Sequence, residues 1–165
     1  MSAIKTKAIC IFSHDGKILV SEYTHTKTGE PFYRPLGGNI EFTEDSQQAL
    51  KREIIEELNT PISNLELLDV IENIYYYKDK YSHEILFIYD GILEERSLYE
   101  REEFFGYEKE DSRKFKVKWK SLHDFASGRD MLYPEGLLEL LTHKISIDKD
   151  YGFLETQESN ITIEQ

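Results

Sequence analysis

Three things are scarce in this 165-residue chain, and each scarcity removes a class of protein. The single cysteine, Cys10, excludes an internal disulfide and fits a reducing compartment. It sits in the apolar run Ala8-Ile9-Cys10-Ile11-Phe12, where it reads as a small core residue and not as a nucleophile. Long hydrophobic runs are missing as well. The opening segment MSAIKTKAICIF has no stretch of signal-peptide or membrane-span length, which predicts a cytoplasmic protein with no membrane partner. Positive charge is the third shortage: 20 Lys and Arg against 32 Asp and Glu leave a net charge of −12. Nucleic acid backbones are bound by Lys and Arg that neutralise phosphates, so no nucleic acid partner is expected. A small phosphorylated substrate is compatible with this balance only where local cations, such as bound metal, screen the site. There is no internal repeat and no low-complexity tract. The length sets one domain with a sizeable core.

What is present is an alternation of strand and helix signals. Residues 4 to 13 and 17 to 24 read as strands around Asp15-Gly16, a strong hairpin pair. Thr26 to Glu30 reads as an exposed loop, and Pro35 to Glu41 leads through Gly37-Gly38 into a short strand. A helix follows, with Thr43 or Asp45 as its N-cap; Asp45 and Gln48 have capping-box spacing. Residues 65 to 77 and 83 to 93 form a second strand pair. The alternation of Phe115, Val117 and Trp119 marks another half-buried strand. A terminal helix is expected to begin at Pro134 and to carry Leu137, Leu138, Leu140 and Leu141. Beyond about Lys144 the chain turns polar and acidic; this predicts a tail over 144–165, of which Tyr151 to Leu154 is the part able to dock. The order gives an α+β domain, a curved mixed sheet with helices packed on it.

One stretch is electrostatically odd. The short helix after the glycine pair carries Arg52, Glu53, Glu56 and Glu57 within two turns. Like charges at helical neighbour spacing cost a few tenths of a kcal/mol per pair. At about 100° per residue, Leu50, Ile54 and Leu58 make the buried stripe, with the acids on one arc of roughly 100° beside it. Carboxylates at this spacing suit Mg²⁺, a hard cation held by carboxylates, waters and substrate phosphates. A solvated acidic face on a surface helix is the other reading of the same residues.

The upstream residues weigh between the two. Gly38, five residues, Glu44, seven residues and then Arg52-Glu53-Ile54-x-Glu56-Glu57 resembles the signature of the Nudix hydrolase family, whose pattern continues with x-Gly-aliphatic. The resemblance spans Gly38 to Thr60 and departs at Asn59 and Thr60, which stand for the glycine and the aliphatic residue. Asn replaces Gly well in the left-handed conformation that ends a helix, and Pro61 follows as a helix stop. The family's proline directly before the glycine pair is displaced to Pro35, in Arg34-Pro35-Leu36-Gly37-Gly38. The resemblance implies an α/β/α sandwich over residues 1–143, with the signature forming a loop-helix-loop.

It also implies a chemistry: Mg²⁺-dependent hydrolysis, with Mn²⁺ able to substitute, of a diphosphate bond in a nucleoside diphosphate linked to another moiety, by water attack on phosphorus. Glu53, Glu56 and Glu57 are then the metal-binding acids, with the main-chain carbonyl of Gly38, and Arg52, Glu53 and Glu57 the catalytic set. Arg52 orients a glutamate through its rigid two-pronged contact. Glu44 is either the partner of Arg52, the reading favoured here, or a distant ligand. The general base is Glu53, with Glu110 in the acidic loop GYEKEDSRK as the weaker candidate beside Glu108 and Asp111. Gly37 and Gly38 let the backbone approach metal or phosphate. Arg34 and Lys51 are placed to reach a phosphate, and Tyr33, with Tyr23, Phe32 and Tyr75 to Tyr77, is a candidate wall for a base, although aromatics are more often core. The five histidines share no ligand spacing. The partner is a small-molecule nucleotide; a homodimer is left open. Two alternatives stand beside this. A nucleotide-binding sensor on the same fold would lack a signature carboxylate, and none is lacking. An isoprenoid diphosphate isomerase would want a well-placed catalytic cysteine, and Cys10 in an early core strand fits poorly.

Overall fold

Tight turns set the strand pairing. The computed structural model describes residues 2–144; the expected tail over 144–165, with Tyr151 to Leu154, lies outside the described residues apart from Lys144. β1 (Ile4–Ile11) is followed by the two-residue β2 (Ser13–His14), so the first expected strand is broken at Phe12. Asp15 and Gly16 both take positive φ, 49° and 72°, in the two-residue turn that pairs β2 with β3 (Lys17–Thr24). β4 (Pro31–Asn39) runs back against β3. β5 (Ile62–Tyr77) and β6 (Lys80–Leu93) form a long hairpin turned by Lys78 and Asp79, both at positive φ. Neither residue advertises a turn as glycine would, which is why β6 starts earlier than the sequence suggests; β5 ends at Tyr77 as expected and gains its extra residues at its start, from Ile62. β7 (Glu103–Tyr107) and β8 (Lys114–Ser121) form the last pair.

The eight strands make one mixed sheet in the order β5-β6-β1-β4-β3-β8-β7, with β2 on β3. Among the strand pairs of the described residues, β1 and β6 run parallel and the others antiparallel. β4 is shared: Leu36 to Asn39 pair with β1, and Pro31 to Pro35 pair with β3. The central strand therefore belongs to both halves of the sheet.

Alternation along β1 divides the core in two. Ala8 and Cys10 pack with Leu36 and with Leu50 and Ile54 of α1 (Ser46–Leu58). Ile9 and Ile11 pack with Val20 and Tyr33, with Phe125 of α2 (Leu122–Ala126), and with Leu137 and Leu141 of a third helix, α3, over 137–144. Helices thus cover both faces of the sheet, the expected α/β/α layering. Each fully buried Leu or Ile adds roughly 1.5–3 kcal/mol relative to exposure. α3 starts later than expected, because Gly136 has φ +84° and cannot sit in a right-handed helix. Among the described residues no helix is long and apolar enough to cross a membrane.

Candidate active site

The acid-bearing helix is fixed at both ends by its own sequence. Asp45 is the N-cap: its Oδ1 accepts from the Gln48 N–H at 2.8 Å, and the Gln48 side chain accepts from the Asp45 N–H at 2.9 Å. Thr43, the other candidate cap, lies in the preceding turn with φ 76°. Asn59 ends the helix in the left-handed conformation, φ 55° and ψ 39°, and its N–H returns to the Ile55 carbonyl. The buried residues of α1 are Ala49, Leu50, Ile54 and Glu57. A carboxylate therefore occupies the place in the buried stripe that the helical period gives to an apolar side chain, while Leu58 is only half-buried.

Arg52 organises the surrounding acids. Its Nε and Nη2 grip both oxygens of Glu44, at 2.6 and 2.9 Å. Its Nη1 donates to Glu53 at 2.9 Å and to Glu56 at 3.4 Å, and Nη2 also reaches the Asn39 carbonyl at 3.0 Å. One guanidinium thus ties the loop before the helix, the end of β4 and two helical acids together. Glu44 pairs with Arg52 and also accepts from the Glu41 N–H at 3.0 Å; these bonds, Arg52 first, hold its carboxyl down at about 2.

The glycine pair makes room for the acids. A Cβ on Gly38 would stand 2.3 Å from the Glu53 carboxyl carbon. Gly37 has φ +136°, and a Cβ there would lie 2.1 Å from the Ala8 carbonyl oxygen. Glu57 is 8% exposed, and its Oε2 has no hydrogen-bond partner. Burial, reinforced by the charges of Glu53 and Glu108, pushes the Glu57 carboxyl well above the usual range. Glu53 is raised as well, by burial first, against the opposing pull of Arg52. Glu56 is held by Lys109 at 2.7 Å.

Lys109 and Glu108 come from the loop between β7 and β8, which leans over α1. The loop acid whose charge reaches Glu53 and Glu57 is Glu108. Glu110, the weaker base candidate from sequence, is exposed in the turn. An acid-rich loop gives no sequence signal for which of its acids turns inward. Lys51 is exposed on α1.

A second feature adjoins the acids. An aromatic pocket lies between the β3–β4 and β5–β6 hairpins, with Tyr23, Phe32, Arg34, Tyr75 and Tyr77 among its lining residues. Tyr23 and Phe32 stack with centroids 5.3 Å apart and planes 20° from parallel. Burial raises the Tyr23 hydroxyl, and the charges of Glu57 and Glu108 add to that. Tyr33, expected at the wall, is not there. It is 3% exposed in the other core, its hydroxyl bonded to Glu22 and its ring against Phe125. Strand alternation explains this: Phe32 and Arg34 point one way and Tyr33 the other. Arg34 lines the pocket and pairs with Glu84 at 3.1 Å. His25, Asn73 and Tyr133 also line it and escaped the sequence reading, because they come from three distant segments with no shared spacing.

The donor set suits a hard divalent cation. It offers three glutamates on one short helix, one of which, Glu57, has a buried carboxylate oxygen without a partner. Among the described residues no three acidic, His or Cys side chains already converge as a cage; Arg52 and Lys109 instead hold Glu53 and Glu56 in ion pairs.

The NUDIX domain family matches residues 4–139. No curated protein matches the chain. Among solved structures, a NUDIX hydrolase from Nitrosomonas europaea aligns with a TM-score of 0.61 at 14% identity, over 87% of this chain and 90% of that one. A MutT NUDIX hydrolase from Burkholderia pseudomallei aligns at 0.54 and 20% identity, over 81% and 90%. An ADP compounds hydrolase aligns at 0.53 and 14% identity, over 89% and 76%. At these identities the likeness to the solved structures is one of fold.

Proposed function

This chain belongs to the NUDIX family, and on that premise we propose that it hydrolyses the diphosphate bond of a nucleoside diphosphate linked to a further phosphate or a sugar. Family members generally use divalent metal ions; Mg²⁺ is assigned here, with Mn²⁺ as a substitute. Glu53, Glu56, Glu57 and the Gly38 carbonyl are the residues that would hold it. When bound, such an ion activates water, neutralises phosphoryl oxygens and stabilises the leaving phosphate.

The chain's own residues supply the rest. Water oxygen bonds to phosphorus, the bridging P–O bond breaks, and the water proton passes to Glu53. A carboxylate within hydrogen-bond reach of the attacking water can take its proton. Arg52 holds Glu53 and Glu56 in place through the bonds described above, and Glu44 fixes Arg52. The glycine pair lets the backbone approach the reacting phosphates. The aromatic pocket takes the base.

The observation that carries this reading is the buried Glu57, with one carboxylate oxygen unpartnered beside Glu53. Isolated buried charges are strongly unfavourable and are ordinarily paired or metal-bound. The test is a panel of nucleoside triphosphates, ADP-ribose and dinucleoside polyphosphates with Mg²⁺ or Mn²⁺, read as phosphate or nucleotide release. Turnover of at least one substrate, abolished by EDTA, is expected. Tight nucleotide binding with no metal-dependent turnover across the panel would establish a sensor instead.

A further inference from the structure

We propose that Arg34, clamped by Glu84, makes the aromatic pocket selective for a 6-oxopurine base, such as guanine or hypoxanthine, over adenine. This rests on the nucleotide reading above and assigns the class of base.

The argument is an account of donors and acceptors. Glu84 is 1% exposed. Its Oε1 takes Lys7 Nζ at 2.8 Å and the Tyr75 hydroxyl at 3.1 Å, and its Oε2 takes Arg34 Nη2 at 3.1 Å. Three protein donors fill most of the carboxylate's roughly four acceptor sites, and its burial keeps water away, so it has little to offer a ligand. Two cations share this one carboxylate, which leaves a local excess of positive charge in a chain of net charge −12. Arg34 is held a second way, with its guanidinium carbon 5.8 Å from the Tyr75 ring centroid. A guanidinium has five N–H donors and no acceptor. Glu84 takes one and the Tyr75 hydroxyl engages the group as well, which still leaves donors for a ligand in the pocket that Arg34 lines.

A rigid donor fork wants two adjacent acceptors. O6 and N7 of a 6-oxopurine provide them, and this is the commonest specific contact of arginine with a base. Adenine presents its N6 amino group beside N7, so a donor would face a donor. Tyr23, partly exposed and backed by the buried Phe32 on which it stacks, offers a flat apolar face of the kind a purine needs. The distance is also suitable. Arg34 is three residues from Gly37, and an extended chain spans at most about 10 Å over that interval. The base edge and the glycine pair thus lie within reach of one nucleotide.

The experiment separates this assignment from the hydrolase reading. Binding of GMP, IMP and AMP to the whole protein is measured by calorimetry in EDTA, so that no turnover enters. GMP and IMP should bind on the order of 10- to 100-fold more tightly than AMP; IMP, which lacks the 2-amino group, shows that O6 is what is read. Arg34→Lys keeps the charge and loses the fork, and should bring the three affinities together. Glu84→Gln should do the same, with a thermal melt to show that it folds. Equal or tighter AMP binding, no GMP binding at millimolar concentration, or an unchanged ratio in Arg34→Lys would overturn the assignment. Base-selective binding without turnover of any nucleotide would sink the hydrolase reading alone, and turnover without base selectivity would sink this one alone.

Discussion

At the scale of single residues, Glu57 is a charge kept away from water with one oxygen unpartnered. Its replacement by Gln should lower metal affinity and kcat together while leaving the thermal melting of the metal-free protein unchanged or raised, since a buried charge is removed. A variant with full activity would remove Glu57 from the site. Gly38→Ala should be as damaging by another route. The added Cβ displaces the Glu53 carboxylate, and a misplacement of about 1 Å at a reacting group costs on the order of 100-fold in rate; circular dichroism should show the fold intact. Glu44 gives a pH prediction. Its folded pKa of about 2 lies below the ordinary value of 4.5, so its contribution to stability is present above about 4.5 and is lost as pH falls toward 2. Amide exchange in the loop from Glu41 to Asp45 should quicken across that window, and Glu44→Gln should flatten the change. These acids were readable from sequence because their spacing is local. What could not be read was that Glu57 itself is buried, since periodicity placed it beside the stripe and the displaced Leu58 took the half-exposed position.

At the scale of elements, α1 was legible almost to the residue because its caps are written into it. Asp45 with Gln48 starts it, and Asn59 stops it. The Asn59 conformation can be tested directly. Asn59→Gly should leave the melting temperature unchanged or raise it slightly, whereas Asn59→Ala should destabilise by about 1 kcal/mol, the strain of a Cβ in left-handed backbone. Equal effects of the two would mean that the cap does not depend on backbone conformation. The β5–β6 hairpin was less legible. Lys78 and Asp79 turn the chain at positive φ without glycine, and the long pairing around them overrides their weak local preference. The start of α3 was misplaced for the reverse reason: Pro134 is a good helix opener, but Gly136 holds the chain out of the helical region.

At the scale of the molecule, the pocket is what sequence reasoning could not assemble. Tyr23, Asn73 and Tyr133 lie far apart along the chain and meet only because two hairpins converge. Strand parity then decided which neighbours faced it, admitting Phe32 and Arg34 and sending Tyr33 to the opposite core. The overall charge of −12 also acts at this scale. It should repel an anionic nucleotide at low salt, where the screening length is about 30 Å, more than at physiological ionic strength, where it is about 8 Å. Raising salt over that range should therefore increase kcat/KM; a clear fall would mean that the local positive field near Lys7 and Arg34 governs capture. The sharing of β4 between the two halves of the sheet has a practical consequence for anyone wishing to retarget this protein. Phe32 and Arg34 sit on the same strand as Gly37 and Gly38, so retailoring base preference there risks shifting the glycine pair and the acids it accommodates. The tip of the β5–β6 hairpin carries Tyr75 and Tyr77 to the same pocket, while the acid cluster is built on α1 and the loops beside it. The tip is an exchangeable cartridge, and libraries built there should alter which nucleotide is accepted while sparing the bond-breaking machinery.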